Sequence, residues 1–352
     1  MTSQEPNVTP ASAPTPPGGT AVSAIPTRGR GLSVPETGAL LIVLVGLFAY
    51  FSVASPFFLN GENLINILQN VAVVGIIACP ATLLLISGQF DLSVGSGVGF
   101  AGMVMAVAAL APGTGGVDLP FAANLTVPSA FVVAVVATLV IGLINAFAVT
   151  VIGINALITT LGTLAIFRGL TKVLGTGQTI RIEGFGELGV LRIFGIPLPV
   201  YIFIACVVIF WFVLRYTVYG RSLYAIGASP SAARLAGIRT GRVIFVAFLL
   251  SSLFVALAGL IRLSQVAGAS VNSGLGIELS VVTAVVLGGA SLSGGRGGIG
   301  GTVLAVLIVG VLANGLIQLG VPSFWIEVAN GLLLLGAVTI DRVRVRITRA
   351  DV

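Results

Sequence analysis

Residues 119–167 read LPFAANLTVPSAFVVAVVATLVIGLINAFAVTVIGINALITTLGTLAIF, 49 positions between Asp118 and Arg168 without one charged side chain. A membrane-crossing helix uses about 20 apolar residues, so this run is too long for one span and suits two. Gly153-Ile154-Asn155 supplies the break, which predicts spans over 127–152 and 156–174. Working outward, the gaps between charges divide the rest of the chain in the same way. They predict spans over 38–59, 63–87 and 92–111 before this pair, and over 197–214, 243–263, 279–293, 299–319 and 324–340 after it. The segment 279–293 is short and dissolves into glycines, the pattern of a re-entrant element covered by protein or water. The expected fold is an all-α polytopic membrane protein of about ten transmembrane helices.

Composition agrees and excludes much. Of 352 residues, 57% are apolar and 8% charged, against about 25% charged in soluble domains. The absence of histidine removes His-based general-base catalysis, haem ligation and His-containing zinc sites. Cys79 and Cys206 lie far apart in apolar runs and read as buried thiols. The only lysine, Lys172, is followed by Val173, so the Gly-Lys-Ser/Thr of a P-loop is absent. If ATP drives transport, the ATPase is another polypeptide, and no cofactor is expected in this chain. Seven of the sixteen prolines fall within residues 1–35, so residues 1–37 are expected to form a disordered, proline-rich tail, too long for a signal peptide.

An even number of spans puts both termini on one side of the bilayer. That side collects Arg28, Arg30, five arginines of the loop 215–242, Arg296, and Arg342, Arg344, Arg346 and Arg349 of the basic tail 342–352. The other side has Arg168, Lys172, Arg181, Arg192 and Arg262, so the basic count is twelve against five and the first side reads as cytoplasmic. The net charge of +6 is then a topology signal and not a nucleic-acid footprint. Residues 139–157, LVIGLINAFAVTVIGINAL, and 307–323, LIVGVLANGLIQLGVPS, echo each other. Their offset of five spans would make the copies opposite in orientation, a candidate inverted repeat of the kind common in transporters.

Three polar or glycine-rich stretches interrupt the apolar pattern. In Gly227-Ala-Ser-Pro-Ser-Ala-Ala-Arg-Leu-Ala-Gly-Ile238, Ser229 suits a helix N-cap and Pro230 the first helical position, while Gly237 suits the left-handed residue past the end. A helix of about seven residues does not persist alone in water, so something must hold it; it either rests on neighbouring spans or docks a cytoplasmic partner. In Ser87-Gly-Gln-Phe-Asp-Leu-Ser-Val-Gly95, Asp91 reads either as an intramembrane ion carrier or, better placed, as a cap for the following span. Residues 287–301 contain eight glycines, which permit close packing or tight turning.

The run 91–95, with Asp91, Ser93 and Gly95, the loop 227–238 and the stretch 284–301 occur in this order across residues 38–341. Together they resemble the permease subunit of ribose/xylose-type sugar ABC importers, a branch of the branched-chain amino acid and sugar permeases. The Asp-Leu-Ser-Val-Gly step favours the sugar branch. The resemblance implies a type II-like permease in a bacterial plasma (inner) membrane, over the domain 38–341. It implies a second permease copy, a cytoplasmic ATPase holding ATP-Mg, and an extracytoplasmic sugar-binding protein. It also implies that Gly227, Ser229, Ala232, Ala233, Leu235 and Gly237 belong to the segment that couples to the ATPase. Two departures stand out: Ser231-Ala232-Ala233 where the family often has an acidic residue, and Gln89-Phe90 where a small and an aliphatic residue are common.

Asn70, Gln89, Asn145, Asn314 and Gln318 carry amides suited to exchanging hydrogen bonds with sugar hydroxyls, and equally suited to bridging helices. The rival class is an ion-coupled secondary transporter of a small polar solute. It would need buried ionisable groups, for which Asp91, Arg168 and Glu327 are the candidates, the last two able to face each other. A membrane-embedded enzyme would lack acid–base machinery.

Overall fold

The computed structural model describes residues 36–111, 121–182 and 185–350. The chain runs through α1 (Glu36–Ala54), α2 (Gly61–Ile86), α3 (Val94–Ala109), α4 (Val127–Phe147), a π-helical turn (Ala148–Ile152) and α5 (Ala156–Leu174). A connector with β1 (Ile180–Arg181), α6 (Glu187–Val190), β2 (Arg192–Ile193) and β3 (Ile196–Pro197) leads to α7 (Leu198–Tyr216). Then follow α8 (Val218–Ala228), α9 (Pro230–Leu235), α10 (Thr240–Val266), β4 (Gly268–Ala269), α11 (Ile277–Leu287), α12 (Ile299–Gln318) and α13 (Phe324–Ala350). The two-residue strands form antiparallel pairs, β1 with β4 and β2 with β3, and only tie connectors together.

Among the described residues seven helices are long and apolar enough to cross a membrane, and three shorter apolar ones complete the set: α3, α11 and residues 324–339 of α13. The expected ten spans therefore resolve into seven full-length and three shorter elements. At 1.5 Å per residue α11 is about 17 Å long and α3 about 24 Å, both less than a bilayer core of about 30 Å. The break inside the long uncharged run falls where the sequence puts it: Gly153 takes φ +85° and the Asn155 side chain caps α5 by accepting from Leu157 N at 2.9 Å. The tail expected over 1–37 lies outside the described residues up to 35, and α1 already begins at Glu36. The basic segment from 342 continues α13 as helix through Ala350.

Packing follows an internal symmetry. Helix α10 packs on α3 and α4, and α2 packs on α11 and α12; α3 pairs with α4 and α5 as α11 pairs with α12 and α13. The echoing glycines occupy matching places: a Cβ on Gly142 of α4 would collide with Ser252 of α10, and one on Gly310 of α12 with Val71 of α2. Helices α1 and α7 break the match, α1 packing on α12 and α7 on α2. Without a hydrophobic drive between spans in lipid, such close backbone approach is a main source of association. Replacing Gly142 by Val should therefore cost about 1–3 kcal/mol or more by overpacking, and Gly162→Val, at a glycine with nothing within 4 Å of its ideal Cβ, should cost far less. Thermal unfolding of the two detergent-solubilised variants checks this.

Candidate functional site

The three interrupting stretches meet on one face, the face carrying α8 and α9. Helix α9 has the cap geometry its sequence encodes: Ser229 Oγ accepts from Ala232 N at 3.3 Å, Pro230 opens the helix, and Gly237 beyond it takes φ +82°. The preceding α8, capped by Thr217 Oγ1 accepting from Gly220 N at 3.1 Å, is an element the sequence reading missed. Both helices rest on a junction of bare backbone. A Cβ on Gly227 would collide with Ile86 O and Gly295 N, and one on Gly294 would lie 2.9 Å from Gly227 Cα and 3.0 Å from Gly88 N. Gly295 N donates to Ile86 O at 2.8 Å, and Gly294 and Gly295 both have left-handed φ. Tyr224 of α8 donates to Gly297 O at 2.8 Å, and Tyr219 to Val243 O at 3.0 Å. Burial pushes both phenols above the ordinary tyrosine value, so they act as neutral donors.

The six residues expected to couple divide into two sets. Gly227 belongs to the junction and Ser229 to the cap. Ala233 is buried against the bundle, whereas Ala232, Leu235 and Gly237 are exposed, Leu235 to 92%. The exposed residues of α9 thus include Ser231, Ala232 and Leu235, while Ala233 faces its own chain.

Of the five amides, three bridge helices. Asn145 of α4 donates to Ser93 Oγ at 2.9 Å and accepts from Thr163 of α5 at 2.8 Å. Asn314 and Gln318 of α12 both bond Asn63 of α2, whose amide also donates to Phe58 O at 2.8 Å. Asn63 was not singled out by sequence. The other two amides border clefts. Gln89 lines one of about 580 Å³ on the α9 face, with Asn155, Arg234 and Thr240. Asn70 lines one of about 570 Å³ on the opposite face with Arg181, Arg262 and Asn272, and accepts from Arg262 at 3.3 Å.

Asp91 departs from the capping expectation. Ser93, not Asp91, is the cap residue of α3, and it makes no side-chain capping bond. The connector folds back into the bundle, where Asp91 is buried, accepting from Ser93 N at 3.1 Å, Ser93 Oγ, and Ser251 Oγ of α10 at 2.8 Å. With Asn145 and Thr163 this makes one polar chain fastening α10, the connector, α4 and α5. Gly95, four residues after Asp91, lets α3 pass tightly against Gly274 and Glu278. Arg168 pairs with Glu278, not with Glu327.

Residues 63–340 match the family described as branched-chain amino acid transport system / permease component. The chain belongs to this permease family. It is 36% identical over 316 residues to the L-arabinose transport system permease protein AraH of Escherichia coli (strain K12), covering 88% of this chain and 92% of that one. It is 36% identical over 307 residues to the ribose import permease protein RbsC of the same organism, covering 86% and 92%. The Bacillus subtilis (strain 168) ribose import permease protein RbsC is 37% identical over 312 residues, covering 88% and 92%. In this permease, Gly227→Val should displace α8 and α9 from their seat, because backbone carbonyl and amide groups cannot yield as a flexible side chain can. Limited proteolysis within 215–242 should accelerate severalfold, and unchanged protection would contradict the junction.

Proposed function

We propose that this permease is the membrane subunit of an ABC importer that forms the translocation path for a monosaccharide or related polyol. The names of its relatives, arabinose and ribose permeases, support the substrate class. The observation that carries the mechanism is an exposed six-residue helix held on a rigid glycine seat. A helix this short gains nothing alone, and Leu235 at its end leaves an apolar side chain in solvent. Burying that side chain in a groove on a cytoplasmic ATPase would recover about 2 kcal/mol, and the seat would transmit the ATPase's movement into α2, α8 and the 288–298 connector. In this reading the ATPase holds ATP-Mg, and the chain has no ATPase site of its own.

The arginine asymmetry supports a cytoplasmic position for the α9 face and for both termini. The opposite cleft then opens toward an extracytoplasmic binding protein, and a second permease copy completes the transporter. Domain 38–341 would carry all of this, with the tails 1–37 and 342–352 cytoplasmic.

Leu235→Arg should leave membrane insertion and thermal stability unchanged, since the side chain touches little of its own chain. It should reduce co-purification with the ATPase and pentose uptake together, by tenfold or more. Ala233→Arg should instead destabilise the permease itself, because Ala233 is buried. Normal uptake in Leu235→Arg would refute the docking role. The purified chain without its ATPase should show no ATP cross-linking, and specific labelling would contradict the division of labour.

A further inference from the structure

Arg168 lies in α5, a membrane-crossing helix, and Glu278 in the first turn of the short helix α11. Their closest approach, Nη2 to Oε1, is 3.5 Å, and the side chains are 13% and 15% exposed. Arg168 Nε, Nη1 and Nη2 and Glu278 Oε2 are all buried without a hydrogen-bond partner among the described residues. A charged pair meant only to hold helices together would be expected to satisfy these groups, as Glu62 and Arg192 do with two bonds of 3.1 and 2.9 Å. Instead the Glu278 carboxylate is seated in the room left by a missing side chain, since a Cβ on Gly95 would collide with it and with Gly274 O. Directly beside it, Ser273, Gly274 and Ile277 form part of the lining of the cleft that also exposes Asn70 and Arg262. The unpaired groups therefore lie just beyond the wall of an open polar cleft.

We propose that Arg168 and Glu278 form a polyol-binding station on the transport path, closed off in this conformation by the segment 273–277. The pair offers guanidinium donors beside a carboxylate acceptor. A sugar with neighbouring hydroxyls matches both, each hydroxyl accepting from one group and donating to the other. A free anion would meet Glu278 and a free cation Arg168, so the pair selects a neutral solute. The assignment rests on the sugar-import reading above and adds to it the residues that hold the cargo inside the bilayer.

The test separates a station from a structural ion pair. A buried pair replaced as a unit by apolar residues of similar size is often tolerated, so Arg168→Met/Glu278→Leu should keep wild-type thermal stability and ATPase co-purification. The complex with its ATPase and binding protein is reconstituted in vesicles, and uptake of labelled ribose and arabinose is measured, the wild type reporting on the sugar reading itself. The station predicts at least a tenfold loss of uptake in the double variant. Arg168→Lys, which keeps the charge and loses the planar fork, should raise KM severalfold at unchanged stability. Uptake within twofold of wild type in the double variant, or an unchanged KM in Arg168→Lys, would overturn the proposal. A cargo-independent arm uses Arg168→Cys with Glu278→Gln in a background of Cys79→Ala and Cys206→Ala, labelled with a membrane-impermeant cationic thiosulfonate. Modification in at least one nucleotide state is expected. A thiol unreactive in every state overturns the proposal even if neither pentose is carried.

Discussion

The contact on which the α8–α9 face depends is backbone against backbone: Gly227 against Ile86, Gly294 and Gly295, with Gly88 beside them. No side chain separates the end of α2, the end of α8 and the connector between α11 and α12. Side-chain contacts can slip by changing rotamer, but three backbones in direct contact cannot. The end of α8, and α9 directly after it, are thereby held against the end of α2 and the connector that leads into α12. This is why glycine is concentrated at these places, and why residues so far apart in sequence read as co-ordered motifs.

The polar groups inside the bundle fall into two kinds. The chain Ser251–Asp91–Ser93–Asn145–Thr163 and the cluster Asn63–Asn314–Gln318 are closed sets, each member bonded to the next. In a low-dielectric interior such closed sets fix helix register. Arg168 and Glu278 are the open set. Leaving a buried polar group unpaired costs about 1–3 kcal/mol, and among the described residues the bundle carries that cost at Arg168 and Glu278 and again at Gln265 Nε2 of α10. The contrast between closed and open sets, more than the presence of polar residues as such, is what the proposed station rests on.

Much of this was legible in the sequence, and the remainder follows a physical pattern. Charge gaps placed α5 at its observed limits and α4 with its π-turn at theirs, because a bilayer tolerates few charges along a span. The α9 helix was legible because Ser229, Pro230 and Gly237 each encode a backbone state locally. Long-range partners were not. Nothing near Asn145 says whether its amide faces a path or Ser93, and Ala233 reads the same on either side of α9. Arg168 could be singled out as a charge in an apolar run, but Glu278 as its partner depends on how α11 enters the bundle. The echo of 139–157 in 307–323 was a long-range signal in the sequence, and the glycines it aligns, Gly142 and Gly310, pack closely on α10 and α2.

The central claim is that the glycine junction presents the Leu235 face of α9 to a cytoplasmic ATPase while Ala233 faces inward. A photo-activated cross-linker placed at position 235, and separately at 233, in the complete transporter tests it most directly. Cross-linking to the ATPase from 235, with none from 233, is the result predicted. ATPase adducts from 233 with none from 235, or none from either position, would contradict the account.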